Sequence, residues 1–436
     1  MVTLLEEATK LAPTDAGLLR DLGRALSDLD LHKFALLHLD RAVGLAPSDA
    51  SVHHQRGLVF ARLGDLGAAI GDLRRAVALA PSLSTVHADL GGVLSLAGEC
   101  DEALRCADTA IALDPGLVPA HLDRATLRLA AMRFETGWAE YEWRSRGTLA
   151  VPPFVSPWPR WQGGRDKRLL VRKEQGPGEQ ILFGALLPEL EGFANPVTVE
   201  LDGRLLPLFE RSMPGLRFID KDGPIDESAY DEEMPIGTLG GLLRPDVAAF
   251  VRTRRGFLVP DSGRARELRA RLHASGRRVC GIGWRSLNHK LGIHKSIELE
   301  RMLAVLRTPG FDFVDLQYGD TSAERERLES VHGVRLNRVA DVDNHDDLDG
   351  LAALIAACDV VVTTSNTGAH LAGALGKDTL LLAPRGLHPL WWWTPVGGRS
   401  LWYPSVRVLQ QETAGDWSEC VAQARAHLES WPCTTN

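Results

Sequence analysis

Small and apolar positions recur along the first third of the chain at a fixed step. Pro13, Pro47, Pro81 and Pro115 close similar phrases (KLAP, GLAP, ALAP, ALDP), each 34 residues after the one before. Gly23, Gly57 and Gly91 keep that step, as do Ala35, Ala69 and Ala103; Ala42, Ala76 and Ala110 fall five residues before the last three prolines. A repeat of this length reads as a helix pair. The glycines fall where the first helix must let its partner approach, the alanines where the second helix packs against the first. Three full units cover about residues 16–118, and a fourth ends near Trp143 with Ala125, Gly137 and Tyr141 in the matching places. Residues 1–11 read as the second helix of a half unit, so the sequence opens mid-motif: a cap, or the remainder of a longer array. Stacked helix pairs form a concave surface suited to a protein or peptide; the alternative is a scaffold that packs on the rest of the chain.

The pattern then changes. LAVPPFVSPWPRWQGG (149–164) holds four prolines and two tryptophans, as expected of an extended linker docked through its aromatic rings. From Arg168 strands and helices alternate, the signature of doubly wound α/β units. Strands are expected over 169–172, 197–201 and 217–219, with helices over 181–190 and 205–212. Residues 249–259 read as a connection to a second half whose first strand starts at Val279. There, strands are expected over 313–318 and 405–409, and helices over 297–306, 321–330, 348–357 and 417–431.

One stretch organises this second half: DVVVTTSNTGAHLAGALGKDTLLLAP, residues 359–384. Val360, Val361 and Val362 form the β-branched run of a buried parallel strand. A polar turn, a helix of small residues and a further strand over 379–382 follow. The helix N-terminus at Asn366, Thr367 and Gly368 offers free N–H groups and the positive end of a dipole, a place that binds phosphate. In an open parallel sheet it also sits at the carboxyl ends of the strands, where ligands bind. The alternative is an ordinary turn with Asn366 or Thr367 as N-cap. In the first half EQGPGEQ (174–180) puts Gly176 and Gly178 in the strand-to-helix turn, where backbone can approach a ligand.

Composition narrows the classes. The chain has 436 residues, 44% hydrophobic and 24% charged, enough for two or three globular domains. A net charge of −8 with no basic cluster argues against nucleic acid or an anionic membrane as partner. Cys100, Cys106, Cys280, Cys358, Cys420 and Cys433 are scattered with no CxxC, as free thiols of a reducing compartment would be. No segment is long and apolar enough to span a membrane, and the acidic start is unlike a signal peptide, so the expected location is cytoplasmic. Asp341-Val342-Asp343 matches a DxD metal pair; the alternative is that Asp343 or Asn344 caps a helix starting near Asp346. No His or Cys cluster has metal-ligand spacing and no GxSxG motif occurs, so no metal or cofactor is expected.

Two resemblances follow. The repeat units resemble the tetratricopeptide repeat family. The phrases LLVRKEQGPGEQILF, GIGWRS, HKSIEL, FVDLQYGD, ACDVVVTTSNTGAHLAGALGK and LWYPSVRVLQQ resemble bacterial glycosyltransferase family 9, the heptosyltransferase-like enzymes, in the form fused to such repeats. The plan is also similar to that of protein O-GlcNAc transferases and of the repeat-linked bacterial transferases that glycosylate flagellins. The resemblance implies a tetratricopeptide solenoid over 1–146, a docked linker over 147–166, and a GT-B fold of two Rossmann-like domains facing a cleft. Residues 167–262 would form the acceptor side and 263–436 the nucleotide-sugar side. It implies an inverting, metal-independent transfer from a nucleotide-diphosphate sugar to an acceptor hydroxyl, the nucleotide sugar being a co-substrate. In the family the residue after the glycine turn is Asp and is the proposed base; here it is Glu179, one methylene longer. Heptosyltransferases carry Asp where this chain has Asn366, which removes a negative charge beside the diphosphate. Lys295 in HKSIEL matches the family's phosphate-contacting lysine.

The candidate site follows from these residues. Glu179 is placed to take the acceptor proton as general base, or else caps its helix. Lys295 and Arg285 would neutralise the leaving diphosphate, or else face solvent. His370 points at the phosphates or is a satisfied core histidine. Gln317 and Glu324 are candidates to hold the nucleoside. Trp391, Trp392 and Trp393 are core or a wall of the acceptor cleft. The expected function is a glycosyltransferase acting on a protein, flagellin-like, held by the repeats. Its rivals are a non-catalytic adaptor and a transferase with a glycan or lipid acceptor.

Overall fold

A computed structural model of the chain describes residues 1–147, 156–192, 195, 197–288, 291–386 and 388–431. The chain opens with helix α1 (Val2–Leu11) and continues as four helix pairs. These are α2 (Ala16–Ser27) with α3 (His32–Leu45), α4 (Ala50–Arg62) with α5 (Leu66–Leu79), α6 (Ser84–Leu96) with α7 (Cys100–Leu113), and α8 (Val118–Ala130) with α9 (Phe134–Tyr141). This is a tetratricopeptide-like solenoid. The periodic residues hold it together. A Cβ on Gly23 would lie 2.6 Å from Leu39 Cγ, and one on Gly57 2.9 Å from Leu73 Cγ. Ala35, Ala69 and Ala103 are fully buried against the first helices. The turn inside each pair passes through a left-handed residue at the same repeat position: Asp30 (φ 60°), Gly64 (83°), Gly98 (85°) and Met132 (58°).

Alternate repeats carry a polar stitch that apolar periodicity does not reveal. His53 bonds Asp72 at 3.0 Å and the Pro47 carbonyl at 3.1 Å, while Arg56 joins Asp72 to Asp40 of the preceding repeat. Two repeats on, His121 bonds Glu140 at 2.7 Å and the Pro115 carbonyl at 3.1 Å, and Arg124 joins Glu140 to Asp108. Asp72 and Glu140 are buried, and their pairing and hydrogen bonding satisfy them in a network that spans three helices.

The first sheet contains β1 (Leu169–Arg172), β2 (Thr198–Leu201), β3 (Arg217–Asp220) and β4 (Glu232–Pro235), all parallel, in the order β3-β2-β1-β4. Helices α10 (Pro177–Gly184), α11 (Leu206–Ser212) and α12 (Leu239–Leu243) belong to this half. The helix expected over 181–190 starts earlier, because Pro177 suits a first helical position, and a separate 3-10 turn covers Leu187–Leu190. Strand β4 was not foreseen: EEMP has two glutamates and a proline. The described end of the linker runs beside it. Trp161 N donates to the Glu233 carbonyl at 2.9 Å, Glu233 N donates to the Pro159 carbonyl at 3.0 Å, and the Trp161 ring is buried. Residues 148–155 of the linker lie outside the described residues.

The second half opens with α13 (Ser262–Leu272), a charged helix with Leu268 buried, which no apolar stripe announces. Its remaining elements are β5 (Arg278–Ile282), α14 (Leu303–Leu306), β6 (Phe311–Asp315), α15 (Ser322–His332), α16 (Leu348–Ala357), β7 (Val360–Thr364), α17 (Thr367–Ala374), β8 (Thr379–Ala383), β9 (Pro395–Val396), β10 (Arg399–Ser400), β11 (Val406–Gln410) and α18 (Ser418–Glu429). The sheet order is β6-β5-β7-β8-β11-β10-β9; the first five strands are parallel and the last two form an antiparallel edge. Alternate residues face opposite sides. Val361 and Leu381 join a core shared with the first half, while Val360, Val362 and Leu380 pack with Trp417 and Leu428. The helix expected over 297–306 breaks into a 3-10 turn at Leu299–Met302 followed by the four residues of α14. The strand expected over 313–318 ends at Asp315, whose carboxylate accepts from Gln317 N at 2.8 Å and turns the chain out of the sheet.

The solenoid docks on both halves. Trp138 donates its indole N–H to the Arg244 carbonyl at 2.8 Å, and Trp391 stands edge-on to it with centroids 5.2 Å apart. Ser95 Oγ and His388 Nε2 are 2.9 Å apart. Trp391, Trp392 and Trp393 are buried core, so the cleft-wall alternative for them falls away.

Candidate functional site

Strand order locates the site. Around β5 and β7 the second sheet reverses direction: the chain moves outward to β6, then returns to build β7, β8 and β11 on the other side. Such a switch leaves a crevice at the carboxyl ends of the strands. Gly283, Trp284 and Arg285 leave β5 here; Ser365 and Asn366 leave β7. The two exits are stitched together. Gly283 N donates to the Val362 carbonyl at 3.0 Å, Thr364 N to the Gly283 carbonyl at 3.2 Å, and Asn366 Nδ2 to the Arg285 carbonyl at 3.3 Å. A Cβ on Gly283 would fall 2.5 Å from Thr363 Oγ1, so this crossing needs glycine. Asn366 Oδ1 accepts from Ala369 N at 3.0 Å, which makes it the N-cap of α17.

The first sheet reverses between β1 and β4, and the turn after β1 carries Gly176, Gly178 and Glu179 into α10. This turn is anchored from the solenoid side. Glu174 receives Arg144 at 2.7 Å and Gly237 N at 2.8 Å. The first turns of α10 and α17 then meet: a Cβ on Gly178 would lie 3.2 Å from His370 Cδ2 and 4.0 Å from Thr367 Oγ1.

Four titratable groups share this seam. Burial raises the Glu179 carboxyl above its ordinary value of 4.5, and the Lys295 charge partly offsets that. Burial lowers Lys295 below 10.5, and Glu179 opposes the shift. Burial, helped by Lys295, pushes His370 down to about 3, so its ring is neutral. Tyr403 is driven well above 10 by burial and by Glu179. His370 Nδ1 and the Tyr403 hydroxyl are 3.0 Å apart, so His370 is satisfied by a side chain and not by backbone.

Beside the seam lies a cavity of about 1320 Å³. Arg285, Lys295 and Glu324 line it from the second half; Gly64, Leu66, Ile70, Leu96 and Ala97 line it from the repeats. Asn366, Thr367, Gly368, Gly176, Gly178 and Glu179 are not among its lining residues, and Lys295 links the two places through its charge. Gln317 and Glu324 are already engaged. Gln317 Oε1 accepts from Trp284 N at 3.1 Å and Arg285 N at 2.9 Å. Glu324 accepts from the Trp284 indole at 2.9 Å and from Arg285 at 2.5 Å. Both residues therefore shape the loop after β5, and Arg285 is ion-paired with Glu324. Asp341 pairs with Arg271 at 2.8 Å, and Asp343 accepts from His345 N and Asp346 N; the following helix is capped by Asp347. Neither capping alternative from the sequence holds, since Asn344 is turned inward to the carbonyls of Asp315 and Gln317. Among the described residues no group of three or more His, Cys, Asp or Glu is placed to hold a metal. No helix of the described residues is long and apolar enough to cross a membrane. Sequence reasoning missed Tyr403 and the repeat-side wall; no local pattern announces either, because each acts only through residues distant in the chain.

No family model matches the chain. Protein FlbA of Caulobacter vibrioides (strain ATCC 19089 / CIP 103742 / CB 15) is 34% identical over 333 residues, covering 71% of this chain and 54% of that protein. The chain thus spans about half the length of this curated relative. Among solved structures, MamA is 22% identical with a TM-score of 0.30, covering 33% of this chain and 83% of that one. A thermophilic TPR protein of Thermus thermophilus is 26% identical with a TM-score of 0.30, covering 32% of this chain and 78% of that one.

Proposed function

We propose that the chain is a glycosyltransferase of GT-B plan, moving a sugar from a nucleotide-diphosphate donor to an acceptor hydroxyl with inversion and without a metal. One observation carries this reading: a half-buried carboxylate with a raised pKa, Glu179, is electrostatically coupled to a half-buried lysine, Lys295, where the two halves meet beside a large cavity. Glu179 would accept the acceptor's proton as the new bond forms. Lys295 would take up the charge of the departing diphosphate, helped by Arg285 and the N–H groups of Thr367 and Gly368. The acceptor is read as a protein, flagellin-like, brought in along the repeats; a glycan or lipid hydroxyl would meet the same chemistry. The test is incubation with a panel of nucleotide sugars and candidate acceptors, with transfer followed by mass spectrometry.

One observation favours a second reading, a non-catalytic adaptor. Arg285 is tied to Glu324, and the Asn366 side chain is spent on its own helix and on the Arg285 carbonyl. Failure of every nucleoside diphosphate to stabilise the protein against heat would favour the adaptor, since a working site gains stability by mass action.

A further inference from the structure

Three consecutive residues of the loop after β5 reach all three parts of the molecule. Ile293 packs on the left-handed turn of the second repeat, where a Cβ on Gly64 would lie 3.6 Å from Ile293 Cδ1. His294 lies beside the last turn of α4, where the Ala61 carbonyl partly offsets the lowering of its pKa by burial. Lys295 lines the cavity, and its charge is felt by Glu179 of the first half. The repeat turns offer an internal comparison. Asp30 and Met132 hold the left-handed conformation in the first and fourth repeats, so the turn itself does not demand glycine. Glycine stands at this place in the second and third repeats, where the turn itself meets the second half. At Gly64 a Cβ would make ordinary contact with Ile293, while a Cβ on Gly98 would lie 2.8 Å from Arg385 Cγ, too close without a shift. The same two repeats supply Leu66, Ile70, Leu96 and Ala97 to the cavity wall.

We propose that the second and third repeats are a working wall of the ligand cavity, and that Ile293 and His294 are positioning residues that hold Lys295 against the phosphates of a nucleoside diphosphate. This rests on the reading of the cavity as a nucleotide-sugar site. The repeats then do more than present an acceptor: they set the geometry of the donor's cation.

The test titrates the full-length chain with UDP, GDP, ADP and CDP by calorimetry, with thermal unfolding to verify the fold of each variant. His294→Ala removes the ring that stands between the end of α4 and the cavity. Gly64→Asn adds bulk under Ile293 with a residue that accepts the left-handed region. Each should weaken binding about three- to tenfold, as expected when a coupled neighbour is disturbed. In a Lys295→Ala background neither should cost anything further, because both act through the ammonium group. If both single variants bind like the wild type while Lys295→Ala is weakened, the positioning role is overturned and the nucleotide-site reading stands. A full additional loss in the Lys295→Ala background also overturns it. If the wild type binds none of the four nucleotides, the nucleotide-site reading fails, and the proposal with it.

Discussion

Glu179 and Lys295 come from different halves of the protein, and each moves the other's ionisation. Burial drives both toward their neutral forms, and their opposite charges pull them back.

Glu179→Gln keeps the shape and removes the basicity. Nucleotide binding and the fold should survive, while turnover falls by about a hundredfold to ten-thousandfold, the usual contribution of a positioned base. The wild-type rate should rise with pH through a value above the ordinary 4.5 of a glutamate, since the base must be ionised. Rates of variant and wild type across pH decide it; a fully active Gln variant would assign Glu179 to helix capping.

Lys295→Ala should weaken nucleoside diphosphate binding by about one to two decades, the worth of a charge-assisted contact in a dry site. Because burial depresses the lysine pKa, wild-type affinity should begin to fall on the alkaline side below the ordinary value of 10.5. Calorimetry at several pH values reads both effects, and a Kd indifferent to the substitution would place Lys295 outside the phosphate site.

Chelation should leave transfer unchanged, and so should Asp341→Asn. Asp341 is occupied by Arg271, and Asp343 by the backbone of the following turn. Activity lost to EDTA and restored by a divalent ion would revive the Asp341–Asp343 pair.

Two buried histidines should make the fold acid-sensitive. His370 and His388 are both pushed to about 3 by burial, against 6.5 for a free ring. The unfolded chain therefore binds protons that the native protein refuses. The stability is complete above pH 6.5 and is lost as pH falls toward 3, each ring adding a slope of up to about 1.4 kcal/mol per pH unit. Thermal midpoints at a series of pH values across that window measure this. His388→Gln should flatten the curve by removing one of the two, and a curve no flatter than wild type would place the acid sensitivity elsewhere.

The solenoid was legible because its constraint is local and repeated. Gly23, Gly57 and Gly91 fix helix contact at one step, and the helices follow it closely. Strands β1, β7 and β8 were legible as apolar runs. Strand β4 was not, since Glu232 and Glu233 read as surface residues although Glu233 is buried beside the linker. The site was half legible. The turns at Gly178 and Thr367 were each marked by the sequence, but their meeting was not, and the partners of Gln317 and Glu324 are the Trp284–Arg285 turn, which only the folded sheet brings within reach. The cavity's second wall could not be read at all, because it joins residues from opposite ends of the chain.

The polar stitches of the solenoid give the array a parity. Arg56 and Arg124, with Asp72 and Glu140, mark the even repeats; Asp40 and Asp108, which answer them, mark the odd ones, while the histidine recurs in the third repeat as His87. The residue at the Asp40 position of the second repeat is Arg74. Excising the third repeat alone would set Arg124 against Arg74, two guanidinium groups in place of an ion pair. Such a deletion should unfold at a lower temperature than the same deletion carrying Arg74→Asp, and equal midpoints would refute the idea. The order of the units is in this respect written into their charges: odd and even repeats are not interchangeable neighbours.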